Sequence, residues 1–99
     1  YLDAGADCAF VIGARDGDLI GRLAAAIGGP MNVLAGPGTP AIPQLKEMGV
    51  KRVTVGGNIA KAAYTLVKTA AEELMQSGTY EFAAGAYSQP DMHRIIKGE

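Results

Sequence analysis

The chain has 99 residues, 48% of them hydrophobic and 19% charged, and a formal net charge of −1. This composition is typical of a folded globular protein and argues against disorder. The scattered Lys and Arg residues argue against a nucleic-acid partner, which requires a basic surface. No stretch reaches the roughly 20 apolar residues that cross a bilayer, and no signal peptide is recognisable. The single cysteine, Cys8, is expected to be a buried hydrophobe in a reducing, cytoplasmic setting.

Three short apolar runs, 6–12, 31–35 and 50–55, each precede a segment with helical periodicity. The runs are continuous rather than alternating, as expected of parallel strands that are covered on both faces. Each of them ends at a glycine.

The segments between and after these runs predict three helices with recognisable ends. The expected N-caps are Asp16, then Thr39 with Pro40 behind it, and Asn58. The expected glycine stops are Gly28, Gly49 and Gly78. The apolar positions of the third helix predict an inward face: Ile59, Ala62, Ala63, Leu66, Val67, Ala70 and Leu74. Glu72 and Glu73 are assigned to its outer face without a function. A fourth, short helix is expected from about Ser88 to Lys97.

This order of elements predicts parallel strands joined by right-handed crossovers. Three such strands leave two unpaired edges, and 99 residues are too few for a (β/α)8 barrel of about 250 residues. We therefore predict an α/β fold in which residues 1–78 form the last three βα units of a (β/α)8 TIM-type barrel. Residues 79–99 are predicted to form a tail that packs on the barrel or on a partner subunit.

Candidate binding residues follow from the rule that parallel α/β proteins place their active sites beyond the carboxyl ends of the strands. Asn32 is a polar amide inside an apolar strand, which is costly unless it is hydrogen-bonded. It is predicted to point into the barrel lumen and bind a substrate oxygen; a purely structural amide is the alternative. Arg15 is the only cation at a strand mouth, and it would bind a substrate carboxylate or pair with Asp16 or Asp18.

Glycine-rich strand ends supply further candidates, because glycine lets a ligand approach the backbone. Gly13 and Gly36 are expected to contribute backbone contacts to substrate. The loops 36–39 and 56–58 both lead into helix N-termini, which can hold an anion, although short βα turns also simply need glycine. No Ser/His/Asp set and no metal-ligand spacing is present, so no catalytic residue is assigned.

Several segments occur in an order found in one enzyme superfamily. They are "AGAD" from Ala4, "FVIGARD" from Phe10, "PMNVLAG" from Pro30, "LKEMGVKRVTVGG" from Leu45 and "GTYEF" from Gly78. Over nearly its whole length the chain thereby resembles the isocitrate lyase / phosphoenolpyruvate mutase superfamily.

The resemblance implies a (β/α)8 barrel, commonly a homo-oligomer with a swapped last helix. It also implies Mg2+-dependent lyase or mutase chemistry on small 2-hydroxy or 2-oxo carboxylates. By position, Asn32 matches an asparagine that contacts substrate in the methylisocitrate lyase branch. That branch's strand-6 glutamate is replaced here by Ile12-Gly13, and the histidine that the mutase branch carries near there is also missing. The family's metal ligands belong to its first five strands, so these 99 residues are expected to be inactive alone.

Two other functions stay open on the sequence. One is a barrel of another family whose last two glycine loops hold a phosphorylated metabolite or a flavin phosphate. The other is a non-catalytic half-barrel that acts as an oligomerisation module.

Overall fold

Strands and helices alternate along the chain in the computed structural model, which describes residues 1–99. The strands are β1 (Ala9–Phe10), β2 (Met31–Leu34) and β3 (Arg52–Thr54). The α-helices are α1 (Gly17–Ile27), α2 (Ile42–Glu47), α3 (Asn58–Gln76) and α4 (Gln89–Lys97), and 3-10 turns occupy Leu2–Ala4 and Glu81–Ala83. The strands form one parallel sheet in the order β1-β2-β3. The predicted α/β fold with parallel strands is confirmed.

The ends of α1 are those that the sequence predicts. Asp16 accepts a hydrogen bond from the Leu19 amide at 2.9 Å, which satisfies one of the free N–H groups of the first turn. Gly28 follows the last turn with φ 67°, a left-handed conformation that glycine adopts without steric cost. The predicted cap and stop are therefore confirmed.

The predicted caps of α2 and α3 are wrong, because both side chains make other bonds. The Thr39 hydroxyl accepts from the Gly36 amide at 3.1 Å inside the preceding loop, and α2 begins only after Ala41. Asn58 is the first residue of α3, and its Nδ2 donates to the Ala35 carbonyl oxygen at 3.0 Å. In both cases a hydroxyl or amide that could cap a helix instead closes the loop at a strand end.

The chain divides into two compact units, residues 1–59 and 60–99, whereas the sequence analysis divided it after Gly78. The core of the first unit consists of Ala14, Ile20, Met31, Val33, Leu45 and Val50. Met31 and Val33 alternate with Asn32 along β2, so Asn32 belongs to the opposite face of the sheet. On that face the register places Asn32 between Phe10, which is 43% exposed, and the exposed Arg52.

The second unit contains most of α3 and the tail, and it has no buried residue. The face of α3 that was predicted to point inward is apolar but exposed; Leu66 and Val67 are 59% and 65% accessible. Glu73 was assigned no function from the sequence; in the structure its carboxylate accepts three hydrogen bonds from the segment after the helix. A left-handed Gly78 turns the chain back toward Glu73.

The short helix α4 begins and ends as predicted, with Ser88 as its N-cap and Gly98 after its last turn. No helix of the chain has the length and apolar character needed to cross a membrane.

Candidate functional site

Asn32 is the one polar residue buried in the sheet, with none of its surface exposed. It is the second residue of β2, and its neighbours Met31 and Val33 contribute to the core on the other face. A buried amide is tolerated only when its polar atoms have partners. No buried side-chain N or O atom lacks such a partner here.

A directed series of hydrogen bonds fixes the orientation of the Asn32 amide. Arg52 Nε donates to Asn32 Oδ1 at 3.2 Å, and Asn32 Nδ2 donates to Thr54 Oγ1 at 3.2 Å. Thr54 Oγ1 donates in turn to the Val33 carbonyl oxygen at 3.4 Å. Since Thr54 gives its only hydrogen to Val33, it acts as an acceptor toward Asn32. The amide keeps one Nδ2 hydrogen and one Oδ1 lone pair for a further partner.

Arg52 and Thr54 were not predicted from the sequence as site residues, although they determine how Asn32 is held. They are two positions apart on β3 and therefore share a face of the sheet. The parallel register places Arg52 directly beside Asn32. Their signal in the sequence was two polar residues in alternation along a predicted strand, but only the register shows which residue they meet.

Arg15 and Gly13 lie where β1 leads into α1, and both are exposed. Arg15 makes no ion pair with Asp16 or Asp18, since the two ion pairs of the chain join Lys68 to Glu72 and Arg94 to Asp91. The Asp16 carboxylate instead caps α1. Gly13 has φ 97°, which a residue with a Cβ would adopt only with strain.

Gly36 and Asn58 bring the two later glycine loops into contact. A Cβ on Gly36 would lie 3.2 Å from Asn58 Nδ2, a tight contact with the side chain that donates to the Ala35 carbonyl. The Gly36 amide already donates to Thr39, and the Thr39 amide donates back to the Gly36 carbonyl at 3.0 Å. The Asn58 amide donates to the Val55 carbonyl at 3.1 Å. These three amides are thus occupied within the protein and are not free to bind an anion.

No group of three or more His, Cys, Asp or Glu side chains is placed to hold a metal ion. Magnesium prefers carboxylate and water oxygens, and the polar groups around Asn32 are an amide, a hydroxyl and a guanidinium. The residues of this chain therefore do not by themselves fit a Mg2+ site.

A parallel α/β unit of this kind, with polar side chains on the sheet face opposite α1 and α2, is typical of a segment of a (β/α)8 enzyme. The family model of phosphoenolpyruvate phosphomutase matches residues 1–75, and the chain belongs to this family. The resemblance to the isocitrate lyase / phosphoenolpyruvate mutase superfamily is thereby confirmed.

Two solved structures support the fold. A Burkholderia cenocepacia J2315 protein, provisionally assigned as a lyase/mutase, matches with a TM-score of 0.90 and 39% identity. The match covers 97% of this chain and 35% of that one. An oxaloacetate acetylhydrolase in complex with its product oxalate matches with a TM-score of 0.69 over 98% of this chain and 38% of that one. At 19% identity, this second match concerns the fold alone.

The chain thus spans just over a third of each of these two structures. No curated protein matches it.

Proposed function

We propose that this chain is the substrate-side part of a (β/α)8 carbon–carbon lyase that acts on a small 2-hydroxy or 2-oxo carboxylate. The observation that carries the proposal is the oriented Asn32 amide, buried on the sheet face opposite the core and held by Arg52 and Thr54. A buried position in a strand is ordinarily occupied by an apolar residue, because a buried amide is costly unless its polar atoms are hydrogen-bonded. Membership of a lyase/mutase superfamily supports the reaction class.

In this proposal Asn32 donates its remaining Nδ2 hydrogen to a substrate oxygen. Lyases of this type develop negative charge on an oxygen next to a carboxylate, and a preoriented donor stabilises such charge more than a mobile one does. Arg52 keeps its terminal guanidinium nitrogens free of protein partners, so it adds a positive charge on the same face. Arg15 and the strand-end backbone at Gly13 would contact the substrate at the strand mouths, whereas the Gly36 amide already donates to Thr39.

The proposed Mg2+ would be held by residues outside this chain, since the described residues offer no ligand cluster. Without those residues the 99-residue chain is expected to be inactive. We further propose a homo-oligomeric, cytoplasmic enzyme, in which the exposed apolar side chains of α4, including Ile95 and Ile96, contact a second subunit.

The test uses Asn32→Asp in the complete gene product, with Gln76→Glu as the matched control. Both variants replace an amide by a carboxylate, but Gln76 lies exposed at the end of α3. We expect Asn32→Asp to lower kcat/KM by at least about a hundredfold for cleavage of 2-hydroxy or 2-oxo dicarboxylates. It removes a donor and adds a charge that repels the substrate, together costing on the order of 3 kcal/mol. A folded Asn32→Asp variant with unchanged kcat/KM would contradict the proposed role.

Calorimetric titration with oxalate and with inorganic phosphate distinguishes the alternatives. We expect oxalate binding in the presence of Mg2+, weakened by Asn32→Asp. Binding of phosphate alone, abolished by Gly57→Ala, would instead favour a phosphate-binding barrel. An inactive protein that binds neither ligand but forms a defined oligomer would favour the oligomerisation module.

A further inference from the structure

The segment after α3 folds back onto the side chain of Glu73. The Thr79 hydroxyl and the Glu81 amide each donate to Glu73 Oε1 at 2.6 Å, and the Phe82 amide donates to Oε2 at 3.0 Å. The main-chain carbonyl of Glu73 accepts from the amides of Ser77 and Gly78, at 2.9 and 3.1 Å. One residue therefore binds both the end of the helix and the chain that leaves it.

The two backbone amides that donate to the Glu73 carboxylate would otherwise have no acceptor. Glu81 and Phe82 are the first residues of the 3-10 turn Glu81–Ala83, and the N-terminal amides of a helical turn lack partners inside it. A carboxylate satisfies them and also interacts favourably with the positive end of the turn. Glu73 thus caps a second element that lies six or more residues along the chain.

Hydrogen bonds alone lower the pKa of Glu73 below its usual value. The Thr79 hydroxyl has the largest effect, partial desolvation opposes it, and the amides of Glu81 and Phe82 lower the pKa further. Glu73 belongs to neither of the two ion pairs, and the nearby Lys68 pairs with Glu72 at 2.5 Å. The other titratable groups on the packed segments are the Glu81 carboxyl and the Tyr80 phenol, and neither accepts or donates a bond to Glu73.

We propose that Glu73 is a latch that fixes residues 79–83 against the end of α3 and thereby sets where the tail leaves this helix. The latch is closed while the carboxylate is ionised. Protonation, or replacement by an uncharged side chain, removes the negative charge of Glu73. The hydrogen bonds to it then weaken, because a bond to an ionised acceptor is about twice as strong as one between neutral groups. Gly78, with φ 64°, makes the reversal that brings the donors within reach.

The test compares Glu73→Gln with Glu72→Gln in the complete gene product. The two variants remove the same charge at adjacent positions of one exposed helix, but only the first touches the latch. We expect amide hydrogen exchange at Glu81 and Phe82 to rise about tenfold or more in Glu73→Gln, since one neutral acceptor replaces two charged ones. Circular dichroism checks that both variants keep their helices. Equal exchange in the two variants would overturn the proposal.

A second measurement does not depend on replacing Glu73. In NMR pH titrations, the Glu81 and Phe82 amide protons should shift together with one midpoint below the usual glutamate pKa. Thr79→Ala should raise that midpoint and Thr79→Ser should restore it, because the hydroxyl is the largest cause of the lowered pKa. Amide protons that do not titrate together, or a midpoint insensitive to Thr79→Ala, would contradict the latch.

Discussion

Replacing Thr54 by Val tests the hydrogen-bond series that holds Asn32. The substitution exchanges a hydroxyl for a methyl group of similar size, so it changes bonding more than packing. Asn32 Nδ2 loses its acceptor at 3.2 Å, and the Asn32 side chain has no exposed surface. Leaving a buried donor unsatisfied costs about 1–3 kcal/mol. We therefore expect the free energy of unfolding to fall by about 2 kcal/mol.

Urea denaturation of the protein measures this change, with Thr65→Val as the control. Thr65 also donates from its hydroxyl to a backbone carbonyl, that of Lys61 at 2.8 Å, but it lies exposed on α3. Water can take over that bond, so the control should change stability by less than about 0.5 kcal/mol. The reasoning fails if Thr54→Val costs no more than Thr65→Val.

The double variant Asn32→Leu with Thr54→Val isolates the interaction itself. Replacing both partners by apolar groups leaves neither member of this pair unsatisfied and is nearly neutral compared with removing one of them; the exposed Arg52 can bond to water instead of Asn32. The double variant should therefore be less destabilised than the sum of the single variants, by about 1 kcal/mol. Additive costs would indicate that the two side chains act independently.

Three further predictions concern other parts of the chain. Asp16→Ala should lower the free energy of unfolding by about 1 kcal/mol in urea denaturation, whereas Asp16→Asn should be nearly neutral, because asparagine also accepts the N-cap bond. Gly36→Ala should lower the free energy of unfolding by about 1–3 kcal/mol, because its Cβ would lie 3.2 Å from Asn58 Nδ2. The same change at Gly21, where nothing lies within 4 Å of the added Cβ, should leave the stability unchanged or raise it. Hydrogen bonds lower the pKa of Asp91, and the bond from the Ser88 hydroxyl has the largest effect. The ionised carboxylate therefore stabilises α4 at neutral pH, and this stabilisation is lost as the carboxylate is protonated below about pH 4. NMR titration of Asp91 should give a higher pKa in Ser88→Ala, and an unchanged pKa would contradict this cause.

Local residue chemistry made part of the fold predictable. Asp16 before an amphipathic segment and Gly28 after it define α1, because a cap and a left-handed stop act within one turn of the chain. Thr39 and Asn58 show the limit of such reasoning. Each has a side chain suited to capping, but the folded loops offer it the Gly36 amide or the Ala35 carbonyl instead. The partner of Thr39 lies three residues away, so two local arrangements compete for its hydroxyl. The partner of Asn58 lies 23 residues away and cannot be read from a local pattern.

The sequence by itself determined that three parallel strands alternate with helices, that a polar amide interrupts β2, and which superfamily the chain resembles. These properties depend on the spacing of apolar residues and on segments that are continuous along the chain. Only the tertiary structure decided that Arg52 and Thr54 orient Asn32, that Asn58 joins two loops, and that Glu73 holds the tail. Those bonds join residues from 6 to 23 positions apart, so the backbone path alone determines which donor meets which acceptor.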